Sequence, residues 1–162
     1  MVSIFPEDTE ENPWTLIERI EVGLCHKRQP LHFIGKYRIK DSDKFETIKD
    51  YNIKSLELWN LNPDFNQPIP DGVEKLILYD LPNFNQPIPG GVEKLKLDRL
   101  QNFNQPIPGG VENLELSCLP NFNQLIPIGV ETLKLWNLPN LKTNNVPKRF
   151  RHYFALRRWG LR

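Results

Sequence analysis

Phe84-Asn85-Gln86-Pro87-Ile88-Pro89-Gly90-Gly91-Val92-Glu93-Lys94-Leu95-Lys96-Leu97-Asp98-Arg99-Leu100-Gln101-Asn102 is one unit of a pattern that repeats with a period of 19 residues. Its opening phrase, Phe-Asn-Gln-Pro-Ile-Pro, begins at Phe65, Phe84 and Phe103, and recurs as Phe-Asn-Gln-Leu-Ile-Pro at Phe122. Each copy runs on to Gly-Val-Glu, then Leu-x-Leu, then a further Leu. A fixed period near 20 residues specifies a solenoid, because such a unit cannot bury its own apolar face and must stack on its neighbours.

Within the unit, the alternation of Leu95 and Leu97 is the signature of a short strand with one buried face. Pro87 and Pro89 fix φ near −65° and lack backbone donors, so that segment cannot join a ladder and suits a polyproline-II-like return. Gly91 is expected to supply a positive φ that turns the chain into the next strand. Nineteen residues leave no room for a helix on the return side. Strands of successive units should then lie in parallel, roughly 4.8 Å apart, and five coils make a rod about 24 Å long.

Stacking converts repeated residues into ladders. Phe65, Phe84, Phe103 and Phe122 should form an aromatic spine, and Ile69, Ile88, Ile107 and Ile126 the opposite wall. Leu76, Leu95, Leu114 and Leu133 should back the strands, beside Leu78, Leu97, Leu116 and Leu135. Burying one such side chain contributes about 1.5–3 kcal/mol, so the repeat outweighs its ordering entropy only collectively. Asn66, Asn85, Asn104 and Asn123 recur without exception and are expected to bond backbone groups of adjacent coils.

Three regions follow. Residues 45–140 hold five tandem repeats, the first degenerate, with Phe45, Ile53, Leu56, Leu58 and Leu61 keeping the frame. Residues 1–44 form an N-terminal cap, with helical spacing at Pro13, Trp14, Leu16, Ile17, Ile20 and Leu24 and a divergent strand at Tyr37 and Ile39. Residues 141–162 form a basic C-terminal cap, where Phe150, Tyr153, Phe154 and Leu156 amid arginines predict a short amphipathic helix. The formal net charge of +1 divides as −1, −5 and +7 over residues 1–44, 45–140 and 141–162. An acidic solenoid thus carries a basic tail.

The acidic residues 1–12 do not resemble a secretory leader, and no apolar run approaches the roughly 18 residues of a membrane helix. Cys25 and Cys118 lie far apart in different segments, which favours a reducing, cytoplasmic setting.

The phrase Phe-Asn-x-Pro-Ile-Pro followed by Val-x-x-Leu-x-Leu resembles the FNIP repeat, a leucine-rich-repeat relative abundant in social amoebae and giant DNA viruses. Three copies match fully and one carries Leu125 in place of Pro. The resemblance covers residues 45–140 and marks a compact 19-residue variant. It implies a leucine-rich-repeat-like fold with parallel strands and no enzymatic activity; if the protein is viral, the cytoplasmic setting read from the cysteines is the host's. Some family members join the repeats to an N-terminal F-box, which would imply a ubiquitin-ligase substrate adaptor. Phe5-Pro6 echoes that domain only faintly, and its Leu/Ile-rich helices are missing.

Candidate functional positions are those that differ between repeats. Reading outward from each strand gives Ser55, Glu57, Trp59; Lys75, Ile77, Tyr79; Lys94, Lys96, Asp98; Asn113, Glu115, Ser117; and Thr132, Lys134, Trp136. Among these, Trp59, Ile77, Tyr79, Lys96, Asp98 and Trp136 are the candidates for partner binding, because aromatics among charges resemble interface anchors. The other reading has Trp59 and Trp136 covering coil edges. Glu74, Glu93, Glu112 and Glu131 form an acidic column, expected to be solvated and partly compensated by Lys75 and Lys94. Lys148, Arg149, Arg151, Arg157 and Arg158, with interleaved aromatics, have the composition of nucleic-acid contact, but a cap on an acidic solenoid is the preferred reading.

Catalysis finds no support. His26, His32 and His152 are not in a ligand-spaced cluster, and no phosphate loop, nucleophile elbow or paired-carboxylate motif is present. No metal, cofactor or catalytic residue is therefore expected. The residues point to a non-enzymatic module that binds a protein partner through the exposed strand face. The alternative is a self-assembling structural protein, a homo-oligomer through that face or a cap.

Overall fold

The structure, a computed structural model, describes residues 38–39, 53–59, 61 and 63–158, with the backbone alone at 38–39 and 154–158. The expected N-terminal helix and F-box segment, the start of the degenerate repeat, Trp159 and Arg162 lie outside the described residues.

Six strands form one parallel sheet in strict chain order: β1 (Arg38–Ile39), β2 (Ser55–Trp59), β3 (Lys75–Tyr79), β4 (Lys94–Asp98), β5 (Asn113–Ser117) and β6 (Thr132–Trp136). Register places like beside like, Leu76 against Leu95, Leu114 and Leu133 in turn. The chain is thus a parallel-strand solenoid of leucine-rich-repeat-like type, as the period dictates. A 3-10 turn (Thr143–Asn145) and helix α1 (Lys148–Arg158) close the C-terminal end.

Each coil has three corners. At the first, Val92, Val111 and Val130 donate backbone N–H to the carbonyls of Pro89, Pro108 and Pro127. This corner corrects the expectation for Gly91, since Gly72 is the one described glycine with positive φ (88°). The later glycines serve close approach instead: a Cβ at Gly110 would stand 3.3 Å from the carbonyl oxygen of Gly90, and one at Gly129 3.4 Å from that of Gly109. The left-handed turn falls just after the strand, at Asp80, Arg99, Cys118 and Asn137, with φ between 51° and 59°. Asp80 and Asn137 are of the types that tolerate this state, whereas Arg99 and Cys118 are not, so the sequence marks the slot as a turn without fixing its left-handed backbone. At the third corner, Phe84, Phe103, Phe122 and Leu141 donate N–H to Leu81, Leu100, Leu119 and Leu138, with Pro at the second position in three of the four turns, where its fixed φ fits.

The interior is a set of stacks. Phe65, Phe84, Phe103 and Phe122 lie with centroids 6.1–6.2 Å apart and planes within 11° of parallel. The spine ends on Leu141, fully buried in the slot that Phe holds elsewhere. Ile69, Ile88, Ile107 and Ile126 are buried, as are the strand leucines of β2–β5. Leu133 and Leu135 of β6 are only half-buried, because among the described residues no further coil covers them; Phe150 of α1 packs against that end.

The asparagines bind the coils laterally. Asn66 Oδ1 accepts the backbone N–H of Asn85 at 2.8 Å, Asn85 Oδ1 that of Asn104 at 3.0 Å, and Asn104 Oδ1 that of Asn123 at 3.0 Å. Gln86, Gln105 and Gln124 each donate to the carbonyl of the preceding coil's Asn at 3.0 Å. A second ladder runs through the third corner: Asn83 donates to Asp64, Asn102 to Asn83, Asn121 to Gln101 O and Asn140 to Pro120 O. The C-terminal segment copies the first pattern with other residues. Lys142 N–H bonds Asn123 Oδ1 at 3.3 Å, and the Asn145 side chain replaces Gln, donating to Asn123 O at 2.8 Å.

Candidate functional site

The sheet presents three outward columns. Nearest the strand starts are Ser55, Lys75, Lys94, Asn113 and Thr132; in the middle are Glu57, Ile77, Lys96, Glu115 and Lys134; at the strand ends are Trp59, Tyr79, Asp98, Ser117 and Trp136. The alternation that buries each Leu aims these side chains the other way. Between the first two columns runs an open groove of about 460 Å³, floored by the strand backbone and lined by Lys75, Ile77, Lys94, Lys96, Glu115 and Lys134.

The middle column is an ion-pair relay. Glu115 Oε1 lies 2.8 Å from Lys96 Nζ and its Oε2 3.5 Å from Lys134 Nζ. The hydrogen bond from Lys96, then its charge and that of Lys134, hold the Glu115 carboxyl below the usual carboxylate range against the opposing effect of burial. The same hydrogen bond holds the Lys96 ammonium above its ordinary value. Lys75 and Lys94 form no ion pair among the described residues; Glu74 of the acidic column pairs instead with Lys54 at 2.7 Å, and Glu93, Glu112 and Glu131 are exposed and unpaired there.

The aromatic candidates do not form one patch. Trp59 and Tyr79 stack at 4.9 Å, with the Arg99 guanidinium 5.2 Å above the Tyr79 ring. Trp59 is half-buried, so it does not stand free as an anchor would. Trp136 occupies the same slot four strands away, roughly 19 Å at the sheet spacing, and is 64% exposed. Asp98 and Ser117 separate the two. Glu57 also departs from its outward reading: its register is outward but it is 1% exposed, with Oε1 buried and without a hydrogen-bond partner among the described residues.

The basic tail divides by role. Arg149 donates to the carbonyl of Val130 and lies 4.9 Å over the Phe150 ring. Arg151 donates to Val146 O at 2.7 Å and to Asn144 O at 3.1 Å. These guanidiniums satisfy backbone carbonyls at the last coil and the turn beyond it. Lys148 is exposed, and Arg157 and Arg158 lie on the last turn of α1. Among the described residues, no group of three or more His, Cys, Asp or Glu is placed to hold a metal, and no helix is long and apolar enough to cross a membrane. Cys118 is a half-buried free thiol at a left-handed corner, touched by Ser117 and Asn137.

Comparison with protein-family models, with curated proteins and with solved structures finds no match to this chain.

Proposed function

We propose that this chain is a non-enzymatic recognition module that holds a protein partner, in the cytoplasm, against its outer strand face. The observation that carries this reading is the contrast between the two faces of one sheet. Inward positions repeat the same residue from coil to coil, whereas the groove on the outer face is lined by side chains that vary: its middle column reads Ile77, Lys96, Glu115, Lys134, and in the column beside it Lys75 and Lys94 give way to Asn113 and Thr132. Packing explains the first set and leaves the second unexplained. A rigid backbone with variable, mixed-charge side chains is how solenoids generate specificity without altering the fold. The resemblance to FNIP repeats points the same way.

The test is a quantitative pull-down from cell lysate. Wild type is compared with Ile77→Ser/Lys96→Glu/Trp136→Ala, shown by circular dichroism to be folded. A protein retained by wild type and lost by the variant supports the strand face as the recognition surface; equal retention moves the site elsewhere.

Self-assembly is the second reading, favoured by β6. Among the described residues nothing pairs with its outer edge, and Thr132, Lys134 and Trp136 are all exposed. Such an edge is a template for another strand. Light scattering over a hundredfold concentration range decides, since a constant monomer mass removes this reading.

A further inference from the structure

The described residues expose four large hydrophobic side chains, and all lie in the last coil and its cap: Leu125 (69% exposed), Ile128 (86%), Trp136 and Tyr153. Two of these are departures from the repeat. Leu125 stands where the other copies have Pro68, Pro87 and Pro106, and Ile128 where they have Asp71, Gly90 and Gly109. Neither change serves packing, because both side chains face water. An extended chain with three residues per turn carries positions i and i+3 on one side, and Leu125 and Ile128 do line one groove of about 500 Å³ on the return side of the last coil.

The opposite wall of that groove is Val146, Lys148, Arg149 and Arg151. Among the described residues its cations have no anionic partner. Arg149 and Arg151 bond only neutral carbonyls, and every ion pair among the described residues involves Lys54, Lys96 or Lys134. An apolar floor thus sits beneath a wall of uncompensated positive charge. The occupant that matches both is a peptide segment carrying one or two large apolar residues among Asp and Glu: the apolar side chains cover Leu125 and Ile128, and the carboxylates meet Lys148 and the guanidiniums.

We propose that this groove is a second binding site, specific for a short acidic peptide segment with apolar anchors, separate from the strand face. The two sites fail independently, since no residue is shared between them.

The test is selection of a random peptide library of about twelve residues, displayed on phage, against the full chain. Leu125→Pro/Ile128→Gly, which restores the residues of the neighbouring coils, is the counter-target. Enriched sequences should carry an excess of Asp and Glu around one or two large apolar residues. A synthetic copy of an enriched peptide, followed by fluorescence anisotropy, should bind the double variant about tenfold more weakly, the loss expected when an apolar anchor is removed. Lys148→Glu and higher salt should each weaken it further. If the double variant does not fold, Ile128→Asp, the residue of the first copy, takes its place. The proposal is overturned if no sequence is enriched, if the enriched ones are neutral or basic, or if they bind both proteins equally. It is equally overturned if wild type dimerises and the double variant is monomeric, which would make the occupant a second copy.

Discussion

Replacing Asn104 with Ala isolates the lateral bond that holds one coil to the next. Asn104 Oδ1 accepts from Asn123 N–H at 3.0 Å and from Gln124 Nε2 at 3.2 Å. Gln124 keeps its bond to the Asn104 carbonyl, and the Asn104 N–H keeps its bond to Asn85 Oδ1. The substitution therefore strands one half-buried backbone N–H and weakens one shared side-chain bond, a cost of about 1–2 kcal/mol. For a chain of this size that lowers the thermal midpoint by roughly 3–8 °C. Asn104→Asp supplies the control. Among the described residues only the oxygen of the Asn104 side chain is engaged, so a carboxylate accepts the same two bonds and the midpoint should stay within about 2 °C of wild type. Converting Asn66, Asn85, Asn104 and Asn123 together to Asp should behave differently. Charges about 4.8 Å apart repel by about 0.9 kcal/mol per neighbouring pair in water, so the quadruple variant loses stability at low salt and regains it in molar salt. Melting followed by circular dichroism reads all three. An unchanged midpoint for Asn104→Ala, or Asn104→Asp falling as far, would refute the reasoning.

Three further outcomes are expected. Gly110→Ala should destabilise by about 1 kcal/mol because its Cβ meets a carbonyl oxygen at 3.3 Å, while Gly109→Ala, with nothing within 4 Å, should be neutral or stabilising by up to about 1 kcal/mol; urea midpoints separate the two. The Glu115 carboxyl is lowered by Lys96, so its contribution is present above the unfolded carboxylate pKa and is lost as pH falls through the folded value, while the raised Lys96 loses its share as pH rises above its ordinary value of 10.5; Glu115→Gln should cost about 0.2–1 kcal/mol at neutral pH, as partly exposed pairs do, and nothing at pH 2. Phe103→Ala, at a side chain with no exposure, should cost about 3–5 kcal/mol, enough that failure to lose cooperativity in the melt would argue against a continuous aromatic spine.

What the chain disclosed in advance was whatever recurs. The Phe, Ile and Leu stacks and the Asn column were readable because a side chain that must match its copy above and below cannot vary. Backbone conformation was less legible. Asp80, Arg99, Cys118 and Asn137 share a left-handed state but no residue type, whereas the visible glycines proved to matter mainly for how closely two coils approach. The outward face was legible as a column list, not as a surface: Trp59 and Trp136 share a slot, yet stacking on Tyr79 half-covers one and leaves the other isolated. Nothing in the order of residues marks Glu57 as covered, because its register is outward like that of Ile77 beside it. The tail's arginines read as charge; their geometry makes two of them carbonyl donors first.

The coils at residues 84–102 and 103–121 make the same Asn and Gln ladder bonds to their neighbours, each reaching 19 or 20 positions along the chain. Excision of residues 84–102 from the gene would join Asn83 to Phe103 and leave the Phe, Ile and Leu stacks and the Asn–Gln ladder with identical partners, while on the outer face Glu115 would exchange Lys96 for Ile77. The contacts that occur once, Asn145 on Asn123 and Arg149 on Val130, would travel intact with the C-terminal end. Unequal recombination between copies can therefore lengthen or shorten the rod by whole turns, about 4.8 Å at a time, without a seam in the core. The 20-residue step from β2 to β3 shows that a corner can absorb one extra residue, but a one-residue shift within a strand would turn its leucines outward and destroy the stack.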